Sequence, residues 1–109
     1  MNWTEQDIQI RVSKHGTKRM QRAWVSEDGL FAIYQTYRDL PQFGYTITHV
    51  ASGYSLSQGH SNRRNAELFV AIWRALPLPW GNKTHAGFAR AAKKMPKQLR
   101  LWINAVRPN

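Results

Sequence analysis

The hydrophobic period of this chain changes once, near Ser61-Asn62, and that change restricts the fold more than any other feature. Ahead of it, Ile8, Ile10 and Val12 alternate with Gln9 and Arg11, the period-two pattern of a strand with one buried face. Beyond it, Ala66, Phe69, Val70, Trp73 and Leu76 keep the i, i+3, i+4 spacing of a helix face. Ser61 or Asn62 can cap that helix, and Pro77 ends it. Strands gathered ahead of a helix predict an α+β protein in which the helix covers one face of an antiparallel sheet.

The strands are separated by recognisable turns. Residues 14–21 are polar, basic and broken by Gly16, so they read as a loop or hairpin tip. Asp28-Gly29 lies between the β-forming runs 22–27 and 30–37 and predicts a two-residue hairpin. A connection over 38–44 leads to a strand over 45–50, and Ser52-Gly53 turns the chain into a short strand from Tyr54 to about Gln58. The expected architecture is an antiparallel sheet of four to five strands covered by one helix, followed by two short C-terminal helices. All 109 residues form a single domain, with a sheet-plus-helix unit over about 6–76 and a basic helical tail over about 84–107.

In the tail, Phe88, Ala91, Ala92 and Met95 form an apolar stripe, and Arg90, Lys93, Lys94 and Lys97 lie opposite. Pro96 closes that helix and suits the first turn of another, whose apolar side is Leu99, Trp102, Ile103 and Val106 and whose polar side carries Lys97, Arg100, Asn104 and Arg107. In layout alone, over about residues 22–76, the order of strands and helix resembles small sheet-based DNA readers such as the arm-binding domains of phage integrases. It is also similar to the double-stranded RNA-binding plan. The likeness is architectural and transfers no residue-level function.

Charge then selects the partner class. The chain carries 16 Lys and Arg against 6 Asp and Glu, a formal net charge of +10, and no acid follows Glu67. Such a field attracts polyanions, and a cationic helix face without interspersed acids points to phosphates rather than to simple solvation. The expected function is non-enzymatic nucleic-acid binding, to DNA or RNA, through Arg90, Lys93, Lys94, Lys97 and Arg100. A second cluster, Lys14, Lys18, Arg19 and Arg22, with Arg11 and His15 beside it, can reach the same backbone. If Val25 faces inward, alternation sends Trp24 to the outer sheet face with Tyr34, where both can stack bases. The alternative is an inhibitor or adaptor that docks its basic helices on an acidic protein, with Trp80 and Trp102 as anchors.

Other chemistry finds little in the sequence. The absence of cysteine removes disulfides and thiolate metal sites, so a cytoplasmic setting is expected. His15, His49, His60 and His85 lack metal-ligand spacing, and neither a metal nor a cofactor is expected. His49 or His60 with Ser52 or Glu67 can be drawn as a base and its orienter, for which geometry is the test. The longest apolar run, six residues from Leu68 to Trp73, is far short of the roughly 20 needed to span a bilayer, and residues 1–7 have no signal-peptide character.

Overall fold

Five strands lie side by side in their order along the chain, β1 (Trp3–Arg11), β2 (Lys18–Ser26), β3 (Phe31–Gln35), β4 (Tyr45–His49) and β5 (Tyr54–His60), and every neighbouring pair is antiparallel. The structure is a computed structural model that describes residues 2–11, 17–37, 39–98 and 101. Among the described residues the sheet is followed by the helices α1 (Arg63–Arg74) and α2 (His85–Lys93). Lys97, Gln98 and Leu101 are also helical, and the rest of the second tail helix expected from sequence lies outside the described residues. Among the described residues, no helix is long and apolar enough to cross a membrane.

Local chemistry sets the element boundaries. The Asn62 side chain accepts the Asn65 N–H at 2.8 Å and starts α1. At the Asp28-Gly29 turn only Gly29 has a positive φ, 75°, and its N–H meets the Ser26 carbonyl at 2.8 Å. The Asp28 carboxylate accepts from the Ser26 hydroxyl (2.6 Å) and the Leu30 N–H (3.1 Å), which braces a wider turn than the two-residue hairpin expected. The basic stretch expected as a loop is strand from Lys18 onward. Met20, Gln21 and Arg22 stand opposite Gln9, Ile8 and Asp7, and these cross-strand pairings outweigh the polar composition.

Apolar side chains fill both faces of the sheet. On the first face Phe31, Ile33, Ile47 and Leu56 pack with Ala66, Phe69, Val70 and Trp73 of α1, with Leu78, and with Phe88 of α2. Side chains of this size contribute about 1.5–3 kcal/mol each when removed from water. On the second face Ile10, Ala23, Val25, Ala32 and Tyr34 form a separate cluster, edged by Ile8 and Val50.

The β1–β2 ribbon is bent. Lys18 and Arg11 pair at the end of the ribbon remote from Trp3 and Ser26, yet they line one cleft with the turn between β4 and β5 and with the start of α2. In a flat sheet about ten residue positions, roughly 30 Å at ~3.3 Å each, would separate Lys18 from that turn. The pronounced twist of two-stranded ribbons, with Ile8 and Ile10 on the concave side, closes this distance.

Candidate nucleic-acid interface

Helix α2 begins where Thr84 supplies a cap. The Thr84 hydroxyl oxygen accepts the Gly87 N–H at 3.1 Å, and Asn82 Oδ1 accepts the Thr84 N–H at 3.0 Å. Phe88 is fully buried beneath the helix, stacked on His49 with ring centres 4.7 Å apart. Ala91, Ala92 and Met95 are half-buried beside it, and Arg90, Lys93, Lys94 and Lys97 are exposed. The cationic stripe read from sequence therefore faces solvent as far as Lys97. Arg100 lies outside the described residues.

Among the described residues, four of the six acids are held in ion pairs away from α2. Arg22 is bridged to Glu5 at 3.1 Å and to Asp7 at 3.5 Å, Arg63 to Glu67 at 3.8 Å, and Arg74 to Asp28. The hydrogen bond from Arg22 to Glu5 raises the guanidinium pKa further above its ordinary value. Arg22 thus sits in a two-carboxylate bridge rather than with the other cations of its cluster. Among the described residues no carboxylate lies within ion-pair distance of Lys83, Arg90, Lys94 or Lys97.

The second basic cluster divides between two faces. Arg19 shares the second sheet face with Tyr34. Lys18 instead lines a cleft of about 400 Å³, together with Arg11, Ser52, Lys83, Thr84 and His85. The ribbon's cations and the start of the basic tail thus adjoin, a proximity that depends on the ribbon's bend. Lys14 lies outside the described residues. His85 is half-buried, and burial first, then the charge of Arg11, lowers its pKa below the ordinary 6.5.

The two expected stacking residues lie on opposite faces. Trp24 stands opposite Ile33 and Val25 opposite Ala32, so Val25 points into the second-face cluster and Trp24 lies on the α1 side. There the Arg63 guanidinium covers the Trp24 ring at 4.8 Å. Tyr34 does occupy the second face but is only 8 % exposed, and burial raises its phenol pKa. The alternation was sound, but a sheet with two buried faces gives "inward" two meanings. Exposed rings occur instead in the β3–β4 connection, where Tyr37 and Phe43 meet edge-to-face at 5.3 Å and are 53 % and 52 % exposed. Their place in a breaker-rich connection was the available sequence signal.

The histidine geometry is that of packed polar pairs. His49 is fully buried, with Nε2 2.7 Å from the Trp80 carbonyl and Nδ1 2.6 Å from the Ser52 hydroxyl. A carbonyl can only accept, so Nε2 carries the proton and Ser52 donates to Nδ1. His60 and Ser57 are 2.7 Å apart, and Trp73 donates its indole N–H to the same hydroxyl oxygen at 3.1 Å. Trp80, an expected anchor for a protein partner, packs against Phe31, His49 and Phe88. Trp102 lies outside the described residues. Among the described residues, no three His, Asp or Glu side chains converge as a metal site. No protein-family model, curated protein or solved structure matches the chain.

Proposed function

We propose that this protein is a non-enzymatic nucleic-acid-binding module that grips the phosphate backbone with the exposed side of α2 and the cations beside its start. The observation that carries this reading is the segregation of charge. Four of the six acids are engaged by Arg22, Arg63 and Arg74, while Lys83, Arg90, Lys94 and Lys97 project from a stretch of chain without any acid. Neutralising phosphates releases condensed counterions, so such a surface binds DNA or RNA with little regard to sequence. Tyr37 and Phe43 add exposed rings on which unpaired bases can stack. A cytosolic setting belongs to the same proposal.

Gel shifts across a salt series, with two unrelated sequences, test it. The expected result is affinity that falls steeply with salt and equally for both sequences. A flat response from low to moderate salt removes the proposal.

The alternative, docking on an acidic protein, uses the same cations. It is favoured by the exposed apolar group Tyr37, Leu40 and Phe43. Partners that stay bound through nuclease treatment support this second reading, and partners lost with the nucleic acid support the first.

A further inference from the structure

We propose that the cleft between the β1–β2 ribbon, the β4–β5 turn and the start of α2 is a seat for a phosphate monoester, the group that ends a 5′-phosphorylated strand. The inference rests on the nucleic-acid reading and adds a feature of the ligand to it. Arg11 comes from β1, Lys18 from β2 and Lys83 from the connection ahead of α2, so three separate elements deliver positive charge to one recess. His85 lines the same recess, and none of the described residues that line it is an acid.

The shape and charge of the recess distinguish a strand end from the middle of a strand. An internal phosphodiester carries one charge and is held between two sugars, which suits an open surface such as the exposed side of α2. A terminal monoester carries close to two charges near neutral pH and has three oxygens free to accept. A recess of about 400 Å³ admits that group with its sugar behind it. Lys and Arg are the donors that match it, as charge-assisted hydrogen bonds to phosphate are the stronger kind. Burial first, then the charge of Arg11, lowers the His85 pKa, and a dianion in the recess offsets the second of these.

Fluorescence anisotropy on the full chain tests the idea with one short oligonucleotide, labelled at its 3′ end and bearing either a 5′-phosphate or a 5′-hydroxyl. The phosphorylated form should bind about tenfold more tightly, the effect of one added charged hydrogen bond. Lys18→Gln with Lys83→Gln should abolish the difference at an unchanged thermal midpoint, both side chains being exposed. A second arm follows the His85 ring by NMR as inorganic phosphate or adenosine monophosphate is added. The ring shares the cleft with Arg11, Lys18 and Lys83 and lies 5.4 Å from the Tyr54 ring of β5, and its pKa should rise when an anion enters.

Equal affinity for the two ends, with His85 indifferent to millimolar phosphate, overturns the inference while salt-dependent binding of the hydroxyl form leaves the proposed function standing. If no oligonucleotide binds yet phosphate or the mononucleotide shifts His85, the proposed function fails. The seat then stands, with a free phosphate ester as its ligand.

Discussion

His49 shows how one buried side chain makes the protein sensitive to pH. Both ring nitrogens are engaged, Nε2–H with the Trp80 carbonyl and Nδ1 with the Ser52 hydroxyl, and burial lowers the ring's pKa below 6.5. The unfolded chain takes up a proton near pH 6.5 and the folded chain only at lower pH. The resulting stability is therefore present above about 6.5 and is lost as pH falls from there towards the folded pKa. Burial shifts His85 in the same direction. The urea midpoint should fall between pH 7.5 and 5.5, a range that lies above the ordinary carboxylate titrations. His49→Phe should lower stability by about 2–4 kcal/mol at pH 7.5, because the Trp80 carbonyl and Ser52 hydroxyl lose their partner, and should flatten the pH response. His85→Gln separates the smaller contribution of that ring. An undiminished pH response in His49→Phe would show that the buried ring is not its source.

Turns and caps carry the next set of consequences. Gly44 has φ of 77°, and a Cβ there would sit 2.4 Å from the His60 carbonyl oxygen, whereas at Gly29 the space is open at φ of 75°. Gly29→Ala should therefore cost only the left-handed penalty of about 1–2 kcal/mol. Gly44→Ala also pushes β5 backbone aside and should cost more, about 3 kcal/mol or above. Paired thermal or urea melts check the order, and equal losses would mean that the β4–β5 edge gives way without resistance. Asn62→Ala removes the α1 cap and should cost about 1 kcal/mol. These local devices were legible in the sequence. Asn62 was one of two residues proposed for the α1 cap, α2 begins immediately after Thr84, and the buried positions Ala66, Phe69, Val70 and Trp73 are those the helical spacing selects. What escaped a sequence reading depends on distant pairing. Lys18, Met20 and Gln21 are strand because β1 lies beside them, Arg22 is neutralised by acids 15 and 17 residues away, and Trp24 lies under α1 because Val25 has a core of its own. The cleft belongs to the same class, since only the bend of the ribbon unites Lys18 with Lys83.

Charge acts through the summed field of the protein, and its signature is a slope rather than a single affinity. If five cations meet phosphates, log K should fall against log salt with a slope of about −4.5 on duplex and −3.5 on single strands. Arg90→Glu with Lys94→Glu tests which surface is responsible, because both side chains are exposed and neither has a carboxylate within ion-pair distance among the described residues. Losing two contacts should reduce the slope by about 1.5–2 and weaken binding about 50-fold at 0.1 M salt, equally for unrelated sequences. The fold should tolerate the change. Net charge moves towards zero from +10, which eases self-repulsion, and the buried side of α2 is untouched. The distinguishing quantity is the ratio of slopes. Any destabilised variant binds more weakly, but only loss of phosphate contacts makes the salt dependence shallower while the thermal midpoint holds. A parallel line at lower affinity would mean that the contacts lie elsewhere, with the ribbon's Lys18 and Arg19 the next residues to reverse.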